Sequence, residues 1–80
     1  MITTLNKLKA CQFGIITAVA ENKLAIFQRL MEMGLIEGAG IEVLGFAPLG
    51  DPMRIKINNS MLALRKHEAS FITVELLEDI

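Results

Sequence analysis

The chain is one small domain of 80 residues with a net charge of −1; 52% of its residues are hydrophobic, and it has neither Trp nor Tyr. A chain this short buries only roughly 60% of the surface its unfolded form exposes, so a mean hydropathy of +0.48 leaves apolar surface for a partner or for weak self-association. Charges interspersed at near-zero balance exclude nucleic acid as the main partner, and Cys11, alone, excludes an internal disulfide and demands no oxidising compartment.

In chain order, Thr4 to Lys9 reads as a short helical turn capped by Thr4, with Leu5 and Leu8 facing inward at i, i+3. Phe13 to Ala20, rich in Ile, Val and Thr, reads as a strand with Phe13, Ile15, Thr17 and Val19 on one side. The uncharged run Ala10 to Ala20 is shorter than the about 20 residues a membrane helix needs. Lys7 and Lys9 before a run ending Ala18-Val19-Ala20 imitate a secretory leader. Cleavage there would remove the first strand of the only domain, so the cytoplasm is the expected location, with no membrane insertion. Glu21-Asn22 breaks the strand, and Asn22 is the expected N-cap of a helix from Lys23 to Met33. Gly34 supplies the left-handed residue that ends it, with Leu35 closing against Leu30 in a Schellman motif.

Stepping ~100° per residue, Met33, Ile26, Leu30, Phe27, Met31 and Leu24 fill an arc of about 180°, wider than the about 100° stripe that packing on one sheet needs. Either neighbouring loops cover the surplus, or Ile26, Met33 and the adjacent Leu35 form part of a contact surface, for which flexible methionine is suited. A turn follows, punctuated by Gly38 and Gly40. Ile41 to Ala47 is the next strand, where lapsed alternation requires either a bulge at Gly45 or an exposed Phe46. Pro48 and Pro52 bracket a rigid loop that carries Leu49, with Gly50 free to take φ > 0.

Met53, Ile55 and Ile57 then alternate with Arg54 and Lys56, and Asn58-Asn59 suits a two-residue hairpin loop. That loop sets Ile57 opposite Ser60, Ile55 opposite Leu62 and Met53 opposite Leu64, placing the apolar pairs on one face. Arg65 to Ser70 reads as one helical turn, Ile72 to Leu76 as a last strand, and Glu78-Asp79-Ile80 as a frayed end. Five short strands, one helix and no repeat predict a mainly β fold, a small closed or nearly closed barrel with the helix inserted after the first strand.

Catalytic and cofactor signatures are missing from this sequence. One His, one Cys and no nucleophile setting give no catalytic triad, and no glycine pattern matches a phosphate loop. His67 and Glu68 are adjacent and diverge, so no metal site is expected where three or four ligands must converge. Neither catalysis nor a cofactor is therefore expected. Arg54, Lys56, Arg65 and Lys66 gather on the hairpin's outward face and at its exit. They are either a solvated surface guarded from edge pairing or a docking patch for an acidic partner or the neighbourhood of anionic lipid.

Arg29-Leu30-Met31-Glu32-Met33-Gly34-Leu35, Gly40-Ile41-Glu42-Val43, Ala47-Pro48-Leu49-Gly50-Asp51-Pro52, Leu62-Ala63-Leu64-Arg65 and Glu68-Ala69 together resemble the FeoA family of small bacterial ferrous-iron transport proteins. The likeness runs from about Leu5 to Glu75. It implies an SH3-like barrel, similar to the C-terminal domain of some metal-dependent repressors, and a non-catalytic cytoplasmic accessory to the FeoB permease, whose soluble portion binds GTP. This chain departs from the pattern twice. Ala10-Cys11 stands where many members have Pro-Gly before the first strand, and Ile36-Glu37-Gly38-Ala39-Gly40 stands where many have Thr-Pro-Gly, a looser turn that presents Leu35 and Ile36 differently.

The expected partner contacts are Ile26, Met33 and Leu35 at the helix edge, Leu49 in the rigid loop, and Arg54 and Lys56 beside it. On this reading, Met33→Glu or Leu35→Glu abolishes binding to the permease and leaves the fold intact. The rival reading is a metal-responsive regulator or an Fe(II)-binding carrier, with stoichiometric iron weakened by His67→Ala.

Overall fold

The computed structural model describes residues 1–77. Six antiparallel strands form one sheet in the order β1-β6-β2-β3-β4-β5. They are β1 (Ile2–Thr4), β2 (Phe13–Val19), β3 (Gly40–Phe46), β4 (Met53–Ile57), β5 (Ser60–Leu64) and β6 (Ile72–Leu77), with helices α1 (Leu24–Glu32) and α2 (Lys66–Ala69). The sheet has two edges, β1 and β5, and α2 packs on a 3-10 turn at Leu5–Lys7. Glu78-Asp79-Ile80, expected to fray, lies outside the described residues.

The hairpin follows its pattern. Ile57 pairs with Ser60, Ile55 with Leu62 and Met53 with Leu64, while Asn58 and Asn59 take φ of 50° and 66°, the doubly left-handed turn that matches strand twist. Met53, Ile55 and Ile57 are buried, and Arg54 and Lys56 are exposed. The end of α1 is also as expected. Leu35 N–H reaches Leu30 O at 3.0 Å and Gly34 N–H reaches Met31 O at 3.0 Å, with Gly34 at φ +88°, the two bonds of a Schellman motif. Leu30 and Leu35 are both fully buried.

The sheet also answers the question about β3. Register shifts between Val43 and Gly45, so a bulge at Leu44 returns Phe46 to pairing with Met53. Phe46 is half-buried with Lys66 Nζ 4.9 Å above its ring centroid, a cation–π contact.

Four expectations need correction. Among the described residues there are six strands, not five: β1 pairs with β6 through Ile2, Thr3 and Thr4, and three residues are too few to show a period of two. The helix accordingly follows the second strand. On β2 the four residues expected on one side do not stay together: Phe13 and Ile15 share the side away from buried Gly14 and Ile16, but a bulge at Thr17 shifts the register and sets Val19 opposite the core residue Ile72. Finally, α1 begins at Leu24 with Lys23 as its cap residue and no side-chain cap bond, and Thr4 makes none either.

Both departures from the family pattern keep a firm backbone. Cys11 takes φ +71°, the conformation glycine favours, and its N–H reaches Val43 O at 2.8 Å. In the turn after α1, Gly38 takes φ +91°. Its N–H donates to Ile16 O at 2.7 Å, and Ile16 N–H donates to Ala39 O at 2.9 Å. The turn is therefore bonded to β2, with Leu35 buried and Ile36 exposed.

Candidate protein-docking surface

The position of α1 is set by charge as well as by packing. Arg29 Nη1 lies 2.6 Å from Glu68 Oε2, and the Glu68 side chain is buried. Glu68 Oε1 also accepts the Arg65 N–H at 3.2 Å, so one carboxylate ties α1 to the start of α2. Asp51 Oδ1 accepts the Lys66 N–H at 3.0 Å, tying the loop before β4 to the same short helix. A carboxylate kept from water is costly unless its lone pairs are satisfied in this way.

This tether rolls the helix. On a ~100° step, Arg29 lies next to Met33 at one edge of the apolar arc, and Leu24 and Met31 lie at the other. Pulling Arg29 toward Glu68 turns the Met33 and Ile26 edge down onto the core, where both side chains are half-buried. The opposite edge is left free: Leu24 is 63% exposed, Met31 is exposed and Phe27 is half-buried. Beside them a groove of about 180 Å³ is lined by Val19, Glu21, Phe27, Met31 and Glu37. Three of its lining side chains are apolar and both of its charged groups are acidic.

The six expected contact residues do not form one patch. Leu35 is fully buried, so a partner cannot touch its side chain; the expectation that Leu35→Glu leaves the fold intact is withdrawn with it. Ile26 and Met33 pack on the core from within. Leu49 is 97% exposed at the tip of its loop. Arg54 and Lys56 project from the far face of β4, away from the core that Ile26 and Met33 help to fill.

Beyond Met61, which alternation already sets on the same side as Arg54 and Lys56, that far face carries apolar groups that pattern reading missed. Leu77, Phe13, Glu42, Lys56 and Met61 form one row across β6, β2, β3, β4 and β5. Phe13, Leu77 and Met61 in that row are exposed. A Cβ built on Gly40 would meet Phe13 Cζ at 2.8 Å, so the ring lies where only glycine leaves room. The available signal was the run Phe13-Gly14-Ile15-Ile16, apolar on both faces of one strand.

As for metal, His67 is exposed and meets Phe71 edge-on at 5.3 Å between ring centroids, while Glu68 is committed to Arg29. Among the described residues no three His, Cys, Asp or Glu side chains gather as ligands, and no helix is long and apolar enough to cross a membrane.

A family model described as the FeoA domain matches residues 3–76. The chain belongs to the FeoA family. An Fe(2+) transport protein A/Fe(2+) transporter FeoB fusion protein of Porphyromonas gingivalis (strain ATCC BAA-308 / W83) is 40% identical over 50 residues, 62% of this chain and 6% of that protein. The chain thus spans a small fraction of that relative's length. The solution structure of FeoA protein from Chlorobium tepidum is 43% identical, with 95% of this chain and 71% of that one covered at a TM-score of 0.86. A zinc complex of Stenotrophomonas maltophilia FeoA, described as a prokaryotic SH3 domain protein, is 26% identical over 91% of this chain and 89% of that one, at a TM-score of 0.79. The fold of this FeoA chain is SH3-like.

Within this FeoA chain, much of what carries the resemblance is scaffold. Arg29 and Glu68 form the tether, Leu30, Gly34 and Leu35 form the helix end, Asp51 caps α2, and Leu64 and Ala69 are core.

Proposed function

We propose that this FeoA protein acts in ferrous-iron uptake, docking in the cytoplasm on the GTP-binding region of a FeoB-type permease and modulating its assembly or nucleotide cycle. The observation that carries this reading is the fusion in P. gingivalis, where an Fe(2+) transport protein A and the FeoB transporter share one polypeptide. Tethering raises the effective concentration of two parts for each other, which matters for parts that associate weakly and repeatedly. Apolar side chains exposed on so small a domain support a binding role over a catalytic one.

On this reading, the groove beside α1 is the docking site. Phe27, Met31 and Val19 supply the apolar contact, and Glu21 and Glu37 favour a partner surface with basic residues at its rim. Ile26 and Met33, at the opposite edge of α1, pack on the core instead of lining the groove. Leu49, Arg54 and Lys56 lie outside it.

The test is co-purification of the FeoB-type permease with tagged wild-type protein and with Met31→Lys. Wild type retains the permease; Met31→Lys, at an exposed position, loses it with circular dichroism unchanged. Failure of the wild type to retain the permease in either nucleotide state refutes the reading.

A further inference from the structure

Strand β5 is an edge without the usual protections. Edge strands are normally guarded by charged side chains, proline, a bulge or extreme shortness. β5 is Ser60-Met61-Leu62-Ala63-Leu64, five residues with no charge and no proline, and it pairs with β4 through an unbroken register. The other edge, β1, is blunted by its length of three residues. The guarding charges Arg54 and Lys56 stand one strand further in, on β4.

The hairpin geometry says which backbone groups are free. With a two-residue loop, Ile57 and Ser60 form the first hydrogen-bonded pair, and bonded pairs then alternate with non-bonded ones. Ile55 and Leu62 are therefore bonded to each other, and the N–H and C=O of Met61 and Ala63 point away from β4. Among the described residues neither takes part in a hydrogen bond to another segment. Met61 is 76% exposed.

A second observation lies beside this edge. A groove of about 230 Å³ is lined by Leu44, Arg54, Met61, Leu62 and Ala63. Ala63 is too small to fill the space between the Arg54 side chain and the edge. Arg54 and Lys56 form no ion pair among the described residues, and of the two only Lys56 has a carboxylate, Glu42, as its cross-strand neighbour.

We propose that β5 accepts an extended, acid-bearing segment of a partner protein as a seventh strand, hydrogen-bonded to Met61 and Ala63 with its carboxylate held by Arg54. Two strand spacings, about 10 Å, separate Arg54 from the residue opposite Ala63, a gap that an arginine and a glutamate bridge across the alanine. In an antiparallel addition the segment reads Glu-x-apolar, with the glutamate opposite Ala63 and the apolar residue opposite Met61. A second copy of this chain fits less well, because β5 contains no carboxylate and self-pairing leaves Arg54 unmatched. This surface is separate from the α1 groove, and the two stand or fall independently.

The experiment uses the full chain, labelled with nitrogen-15, and the blocked heptapeptide Thr-Thr-Glu-Val-Leu-Thr-Thr. Saturation with peptide slows hydrogen exchange of the Met61 and Ala63 amides by about tenfold or more, as for groups moved from solvent into a ladder. Arg54→Glu, at an exposed position, weakens binding by about fivefold to tenfold, and replacing the peptide's glutamate by lysine restores it to that variant. Absence of binding at millimolar peptide, or binding that leaves those two amides exchanging as before, overturns the proposal. So does protection of the same amides that rises with protein concentration alone, which assigns the edge to a second copy.

Discussion

The two ends of the chain's surface differ in how fully their polar groups are used. Around α1 and α2, Arg29, Glu68, Asp51 and the Leu30–Leu35 helix end satisfy one another. Along β5, backbone groups of Met61 and Ala63 have no partner among the described residues. The first region contains many of the residues by which the chain resembles its family, and it is closed. The free surfaces, the far edge of α1 and the edge of β5, mix residues such as Leu24, Phe27 and Met61, which no quoted motif contains, with Met31 and Ala63, which the motifs do contain. A signature can thus describe what holds a domain together as well as part of what it leaves open.

The contrast breaks most severely at Leu35. Leu35→Glu places an unpaired charge in the core and costs about 3–5 kcal/mol or more, enough to unfold a domain of this size; loss of the far-ultraviolet circular dichroism signal at 25 °C checks it. Arg29→Ala comes next. It leaves the buried Glu68 carboxylate with only the Arg65 N–H and costs about 1–3 kcal/mol, read as a lower urea midpoint. The same change frees the roll of α1 and exposes Met33, visible as altered amide shifts along the helix. The smallest effect is a gain: Cys11→Gly relieves a left-handed φ at a non-glycine residue and raises stability by about 0.5–1 kcal/mol in the same urea titration.

The hairpin and the Schellman end were legible because each is decided locally, by alternation closed with Asn58-Asn59 and by a glycine four positions after Leu30. The width of the apolar arc on α1 was legible too, and Leu24 and Met31 at one edge of it are exposed. Which of its edges is free was not legible, because the roll of the helix depends on Glu68, distant in sequence and silent in the periodicity. The outward Phe13 was hidden for a related reason. Phe13-Gly14-Ile15-Ile16 is apolar at both parities, and only pairing with β3 and β6 decides which side turns in. β1 left no trace beyond Ile2.

The most direct measurement is a titration of the nitrogen-15-labelled chain with the isolated GTP-binding region of a FeoB-type permease, followed by amide shifts and repeated with Met31→Lys. The account predicts shifts centred on Val19, Glu21, Phe27, Met31 and Glu37, with the affinity lowered by about tenfold or more in the variant. Shifts confined to Leu49, Arg54 and Lys56, with Met31→Lys binding as wild type does, would contradict it.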